Sequence, residues 1–94
     1  MGSILPHIER DEAAEAAFLA RLGERVRAWR QEHGLARKAL ALASGVSERY
    51  LAQLEAGHGN ISVLLLRKVA QAMNVAVEDL VREQIPDADS RVVL

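Results

Sequence analysis

Three side chains in the middle of the chain have the chemistry that recognition of nucleic-acid bases requires. Glu48, Arg49 and Gln53 share the outward face of a predicted helix whose inward face carries Leu51 and Leu54. An arginine can donate two parallel hydrogen bonds to guanine, a glutamine can pair with adenine, and a glutamate can accept from cytosine. Glu48 is equally well explained as an acid that stabilises the positive end of its own helix. Arg49 and Gln53 favour contact with base edges.

The charges are unevenly distributed along the chain, although the net charge is only −1. Residues 1–20 carry a net charge of −3, residues 21–68 a net charge of +5, and residues 69–94 a net charge of −3. A basic centre between acidic ends is typical of a surface that binds a polyanion, and it also fits an ordinary solvated face. The charge pattern therefore supports binding to nucleic acid without requiring it.

The length and composition limit the chain to one small helical domain. The 94 residues suffice for a single core, and alanine and leucine supply most of the apolar side chains, as in closely packed helices. No cysteine is present, and His33 and His58 have no second ligand at metal-binding spacing, so we expect neither a metal nor a cofactor. There is no phosphate-binding glycine loop and no nucleophile-base spacing, which argues against an enzyme. No apolar run approaches the roughly 20 residues that cross a membrane, and we expect a soluble, cytoplasmic protein.

Hydrophobic periodicity and helix-capping residues predict an all-α chain of five helices. The predicted helices cover about residues 12–32, 36–43, 47–57, 62–74 and 77–83. Asp11 is the expected N-cap of the first helix and Ser47 that of the third, and Asn74 is expected in a left-handed conformation after the fourth. These boundaries predict an N-terminal extension with the start of helix one (1–18), a helical domain (19–83) and a C-terminal tail (84–94).

The second and third predicted helices have the spacing of a helix-turn-helix motif. They are short and are joined by the turn Ser44–Ser47. Gly45 allows the sharp bend, and Val46 is expected to fill the angle between the two helices. The second helix of such a pair can enter a major groove, which would bring Arg49 and Gln53 to the base edges.

Many positions in this order resemble the xenobiotic-response-element family of lambda-repressor-like DNA-binding domains. The resemblance is carried by Leu22–Arg27, Gly34–Leu35, Leu40–Ala41, Gly45–Ser47, Leu51, Leu54–Gly57, Ala70–Val75 and Leu80. The stretch Ser47–Met73 is similar, more narrowly, to the N-terminal domains of benzoyl-CoA-responsive regulators. Those regulators carry a shikimate-kinase-like effector domain, which implies that an effector domain or a protein partner could act together with this chain.

The resemblance implies roles for individual residues. It places base contacts at Glu48, Arg49 and Gln53, and a structural ion pair between Arg30 and Glu55. It implies contacts with the DNA backbone from the second helix, the third helix and the loop that follows: Arg37, Lys38, Ser47, Tyr50, His58 and Asn60. Arg37 would be the second residue of helix two, a position where the family usually has glutamine.

The resemblance implies a DNA-binding transcriptional regulator, a repressor, that binds a two-fold symmetric operator in double-stranded DNA as a homodimer. An antitoxin that binds DNA together with a toxin belongs to the same class. A helical module that has kept this fold but binds protein instead of DNA is the alternative from another class. Leu42 and Leu64 favour this alternative slightly, because they occupy positions that are commonly polar in the family.

The fifth predicted helix carries an apolar strip that suits a contact between two copies of the chain. The strip consists of Val77, Leu80, Val81 and Ile85. A helix this short is not expected to bury all four residues inside one subunit, and an isologous contact would cover the strip. The sequence therefore predicts that this helix forms the dimer interface.

Overall fold

The computed structural model describes the backbone of residues 4–83 and the side chains of residues 11–83. This part of the chain is entirely helical apart from its turns and connecting segments. The five helices are α1 (Ile4–Glu32), α2 (Arg37–Ser44), α3 (Glu48–Glu55), α4 (Val63–Ala72) and α5 (Val77–Val81). None of them combines the length and the hydropathy that a bilayer-spanning helix requires. Ile85 and the predicted tail lie outside the described residues.

Helix α1 begins at Ile4, so the predicted start near residue 12 and the predicted N-cap at Asp11 are wrong. The run Glu12–Ala17 consists only of alanine and glutamate, which are strong helix formers, and it offers no residue that would end a helix. Pro6 lies in the first turn, where the N–H group that proline lacks has no partner within the helix. The helix therefore continues through the acidic segment.

Serine side chains cap the helices α3 and α4, and the cap of α3 is the one that the sequence predicts. The Ser47 hydroxyl accepts a hydrogen bond from the Tyr50 amide at 2.9 Å, and the Ser62 hydroxyl accepts one from the Leu65 amide at 3.3 Å. Asn74 has a φ of 56°, the left-handed conformation that the sequence predicts after α4. Helix α5 ends at Val81 rather than Glu83, because Arg82 is already extended.

One apolar core joins the five helices. Helix α1 packs on α3 and α5, α2 packs on α3 and α4, and α4 packs on α5. The buried apolar side chains are Leu22, Val26, Leu40, Val46, Leu51, Leu54, Leu66, Val69, Ala70, Met73 and Leu80. Trp29 is half-buried and packs against this cluster.

Helices α1 and α3 cross at Gly23 with their backbones in contact. A Cβ atom at Gly23 would lie 2.5 Å from the carbonyl oxygens of both Leu54 and Glu55. Gly57, which has a φ of 77°, faces the backbone of Ala20 on the same side of α1. This close crossing sets the position of the C-terminal end of α3 relative to α1.

Candidate functional site

Helices α2 and α3 form the helix-turn-helix arrangement that the sequence predicts. Gly45 has a φ of 80°, and its amide donates to the Ala41 carbonyl at 2.9 Å, which closes α2. The Ser44 hydroxyl accepts a hydrogen bond from the Val46 amide at 3.3 Å. Val46 is buried in the angle between the helices. The turn thus holds α3 at a fixed angle to α2.

The outward face of α3 carries the three residues predicted to contact bases. Glu48, Arg49 and Gln53 are all exposed, whereas Leu51 and Leu54 on the opposite face are buried. Arg49 and Gln53 lie one turn apart and therefore project from the same side of the helix. Two alanines lie near the C-terminal end of α3: Ala52 is half-buried and Ala56 is exposed. Because their side chains are small, a flat or grooved surface can approach the helix there.

The N-terminal end of α2 presents two basic side chains and no acidic one. Arg37 and Lys38 are the first two residues of α2, and both are exposed. Arg37 was expected at the second position, but Ala36 is extended and stays outside the helix. Ala36 also provides no side-chain cap, so the first amides of α2 are not covered by a side chain of their own helix.

The carboxylate of Glu55 joins α1, α2 and α3. Arg30 donates from Nε to Glu55 Oε2 at 2.6 Å and from Nη2 to Glu55 Oε1 at 3.0 Å, so the predicted pair is formed as a two-bonded fork. Arg37 donates from Nε to the same Oε1 atom at 3.2 Å. The side chain of Glu55 is 4% exposed and that of Arg30 is 10% exposed, whereas Arg37 is 44% exposed.

This cluster favours the charged form of Arg30. The pKa of Arg30 is raised above its ordinary value, mainly because its guanidinium donates hydrogen bonds to the Glu55 carboxylate. Desolvation by burial opposes this effect, and the negative charge of Glu55 adds to it. Arg30 also donates from Nη1 to the Leu35 carbonyl at 2.8 Å, which fastens the segment between α1 and α2. Each of the three guanidinium nitrogens of Arg30 therefore donates a hydrogen bond within the fold.

The loop after α3 is exposed and is tied back to that helix. The His58 amide donates to the Gln53 carbonyl at 2.9 Å. The side chains of His58 and Asn60, both predicted to contact the DNA backbone, are exposed. Ser47 is exposed as well, although its hydroxyl also caps α3.

The structure buries the hydroxyl group of Tyr50, whose contact with the DNA backbone stays a prediction. The hydroxyl oxygen is buried and has no hydrogen-bond partner among the described residues, and the ring packs against the core. Burial raises the pKa of Tyr50, because desolvation disfavours the phenolate. Tyr50 as a whole is half-buried, and helical spacing alone does not indicate that its hydroxyl group is enclosed.

The predicted dimer strip on α5 is partly used inside the subunit. Leu80 is fully buried in the core, so it cannot contact a second copy directly. Val77 and Val81 are half-buried and pack against the same core. Helix α5 was expected not to bury the whole strip, and of its described residues the structure encloses only Leu80, against α1 and α4.

Comparison with known proteins identifies the arrangement. The family model HTH_3, described as helix-turn-helix, matches residues 26–80. The chain belongs to this helix-turn-helix family. This result confirms the resemblance to lambda-repressor-like domains of the xenobiotic-response-element type and the all-α, five-helix fold. The narrower resemblance to benzoyl-CoA-responsive regulators stays a prediction.

Three relatives of the HTH_3 family are informative. The chain is 42% identical over 60 residues to the HTH-type transcriptional regulator DdrOP3 of Deinococcus deserti, covering 64% of this chain and 46% of that protein. It is 38% identical over 60 residues to the HTH-type transcriptional regulator SlrR of Bacillus subtilis, covering 63% of this chain and 40% of that protein. The chain thus spans less than half the length of these two curated relatives.

The third relative is a solved structure, the restriction-modification controller protein C.AhdI of Aeromonas hydrophila. The two chains superimpose with a TM-score of 0.66 at 33% identity, covering 68% of this chain and 97% of the controller protein. The shared region therefore corresponds to almost the whole of a compact HTH_3 protein.

Two residues that shape this HTH_3 domain were not predicted from the sequence. Gly23 sets the crossing of α1 and α3, and its signal is a lone glycine inside an otherwise strong helix pattern. Arg25 donates from Nη1 to the Leu80 carbonyl at 3.3 Å and also to the Arg82 carbonyl, which holds the end of α5 against α1. No local spacing indicates this bond, because it joins residues 55 positions apart.

Proposed function

We propose that the chain is a sequence-specific DNA-binding transcriptional regulator that reads bases with α3. The observation that carries the proposal is the exposed polar face of α3, with Arg49 and Gln53 one turn apart on the second helix of a helix-turn-helix. These side chains form the bidentate bonds that distinguish guanine and adenine in the major groove. The curated relatives DdrOP3 and SlrR, which are named as transcriptional regulators, support the same function.

The phosphate backbone would be contacted on both sides of α3. Arg37 and Lys38 lie at the N-terminal end of α2, where exposed amides and positive side chains attract an anion. Ser47 lies at the start of α3, and His58 and Asn60 lie in the loop behind it. Such contacts set the register of the protein on the duplex and supply most of the salt-dependent affinity, whereas base contacts supply specificity.

The regulator would act as a homodimer on a two-fold symmetric operator. One helix-turn-helix makes few base contacts, and two modules about 34 Å apart can read successive major grooves on one face of the duplex. The exposed parts of Val77 and Val81 on α5 are the proposed contact between the two copies. We propose that the protein is a repressor and that it acts in the cytoplasm.

A selection of bound sites from a random DNA library tests this function and returns the operator and its symmetry together. Alanine variants of Arg49 and Gln53 are then compared with wild type on the selected operator and on random DNA. Each variant should lose affinity for the operator by roughly 1 to 3 kcal/mol and change little on random DNA. Equal losses on both DNAs would mean that α3 is an electrostatic surface and does not read bases.

Backbone contact is tested in the same assay with Arg37→Ala. This variant should weaken binding to both DNAs about equally and reduce the magnitude of the salt slope by about one per subunit. A loss confined to the operator would contradict the assignment of Arg37 to phosphate contact. The series of salt concentrations thus separates residues that position the protein from residues that read the sequence.

Exposed apolar side chains favour a protein-binding module as the second candidate function. Leu42 on α2 is 79% exposed, and Val63 and Leu64 at the start of α4 are 71% and 70% exposed. An antitoxin would combine both activities, because it binds a toxin as well as DNA. Salt-dependent retention on heparin and on random DNA separates the two candidates, since a module that binds only protein would not be retained.

A further inference from the structure

The single negative charge of the Glu55 carboxylate is bound by two positively charged arginine side chains. The fork from Arg30 occupies both oxygens, at 2.6 and 3.0 Å, and this pair is nearly buried. Arg37 adds a second arginine at 3.2 Å. Two guanidinium groups around one carboxylate leave a net charge of +1, and the exposed member of the cluster is Arg37.

The bond between Arg37 and Glu55 restrains the arginine side chain but involves only one of its three nitrogens. The bond is made by Nε, and Arg37 is 44% exposed, so the N–H groups of Nη1 and Nη2, which make no hydrogen bond among the described residues, remain available to a further acceptor. The side chain of Glu55 is nearly buried at the end of α3, and α3 is fixed against α1 by the backbone contact at Gly23. The exposed guanidinium is thus held by a rigid support, which lowers the conformational entropy that it would lose on binding an anion.

We propose that Glu55 is a positioning residue for the DNA-backbone contact, holding Arg37 at the start of α2 with its terminal nitrogens directed at a phosphate. This inference rests on the proposed function, because it assigns the phosphate contact to Arg37. It goes beyond a structural ion pair between Arg30 and Glu55, since that pair alone would leave the orientation of Arg37 free. A lysine at position 37 carries the same charge but has a single nitrogen, which cannot serve Glu55 and a phosphate in this way.

A double-mutant cycle on DNA binding tests the proposal with the full chain. Wild type, Arg37→Lys, Glu55→Gln and the double variant are titrated against a random-sequence duplex at low salt and at a temperature where each is folded by circular dichroism. Arg37→Lys should lower the affinity about three- to tenfold per subunit although the charge is kept, and Glu55→Gln should lower it by a similar factor. The double variant should lose no more than either single variant.

Arg30→Lys is the matched control, because it weakens the buried fork and leaves the bond between Arg37 and Glu55 in place. It should lower stability while the affinity for the duplex stays close to that of wild type. Glu55→Gln also weakens the buried pair of Arg30 and Glu55, so its effect on affinity could come from lower stability. Arg37→Lys leaves that pair intact and therefore tests the positioning role independently of stability. Wild-type affinity in Arg37→Lys, or losses that add in the double variant, would overturn the positioning role while leaving DNA binding established.

A measurement on the free protein checks the geometry independently of DNA. The Nε–H group of Arg37 should give a separate, slowly exchanging signal in ¹⁵N nuclear magnetic resonance, and Glu55→Gln should remove it or shift it strongly. Fast exchange of this group in wild type, under conditions where the Arg30 signal is visible, would overturn the proposal. A wild-type chain that binds no duplex at low salt would overturn the proposed function, and the positioning role would fall with it.

Discussion

Glu55 differs from the acid of a simple buried pair because two arginines share it. Arg30→Ala leaves a nearly buried carboxylate with only the half-exposed Arg37 as partner. Removing one member of a buried pair typically costs about 3 kcal/mol, and we expect a loss of this order in the free energy of unfolding measured with urea. Because Arg37 still compensates part of the negative charge of Glu55, we do not expect the loss of stability to exceed this value.

The double variant Arg30→Met with Glu55→Leu provides the control for this prediction. Replacing both charged groups by apolar ones removes the desolvation penalty together with the attraction, so much of the lost stability should return. A loss well below 1 kcal/mol in Arg30→Ala would show that water reaches Glu55 and that the cluster is not buried in solution.

Tyr50 offers a second test at the level of one residue. Its hydroxyl oxygen is buried without a partner among the described residues, and a buried hydroxyl without a hydrogen bond destabilises the folded state. Tyr50→Phe should therefore leave stability unchanged or raise it by about 1 kcal/mol at neutral pH in urea unfolding. Affinity for DNA should not change, and a clear loss of affinity would restore the hydroxyl as a backbone contact.

The same substitution changes the dependence of stability on alkaline pH. Burial raises the pKa of Tyr50, so the unfolded chain loses this proton first as the pH rises. The folded state then binds more protons than the unfolded state, and stability falls with increasing pH. The contribution is fully present below the unfolded value of about 10 and is lost as the pH rises through the folded pKa. Unfolding curves at pH 8 to 11 should show this decline in wild type relative to Tyr50→Phe.

At the scale of the helices, the sequence predicted the central elements well and the outer ends poorly. Ser47 and Asn74 mark the start of α3 and the end of α4 through their own backbone and side-chain preferences. The start of α1 was missed because Asp11 is a good cap in isolation, while the alanine-rich segment after it prefers to continue a helix. Local capping signals were thus reliable only where the adjoining segment does not itself continue the helix.

Gly23 gives the test at this scale, because it concerns how two helices pack. A methyl group at this position would lie 2.5 Å from two backbone carbonyl oxygens of α3, which cannot move like the end of a side chain. Gly23→Ala should therefore separate α1 from α3 and cost roughly 3 kcal/mol or more in thermal or urea unfolding, although alanine favours helix formation.

Gly34→Ala is the matched control for this crossing. Gly34 has a φ of 67°, and nothing lies within 4 Å of a Cβ built there. Its replacement should cost only the strain of the left-handed conformation, about 1 kcal/mol. Gly23 lies inside α1 and has no positive φ, so a loss in Gly23→Ala no larger than that in Gly34→Ala would mean that α1 and α3 do not cross closely in solution.

At the scale of the whole molecule, the sequence predicted which residues of the site are exposed but not the hydrogen bonds that join its helices. The period of Leu51 and Leu54 predicts which face of α3 is outward, and the structure exposes Arg49 and Gln53 there. The bond from Arg37 to Glu55 joins residues 18 positions apart on different helices. Residue types and local spacing do not predict such a bond, because it depends on how α2 and α3 are docked.

Assembly into a dimer is the prediction that belongs to the whole molecule, and two surfaces compete for it. Val81 on α5 is half-buried, and Leu64 on α4 is 70% exposed. Covering exposed apolar area drives association, so a glutamate in the true interface should give monomers. Val81→Glu and Leu64→Glu are compared by analytical ultracentrifugation, with circular dichroism to confirm that each is folded.

If α5 forms the interface, Val81→Glu should be monomeric and should bind a complete operator far more weakly than wild type, while its binding to a half-site stays the same. Leu64→Glu should remain dimeric, because its charge stays in solvent. The reverse result would move the interface to the start of α4, next to the loop of His58 and Asn60, and would leave α5 as an internal element that closes the core over Leu80. Monomeric wild type at high concentration would contradict both interfaces, and a symmetric operator would then require dimerisation by another part of the assembly.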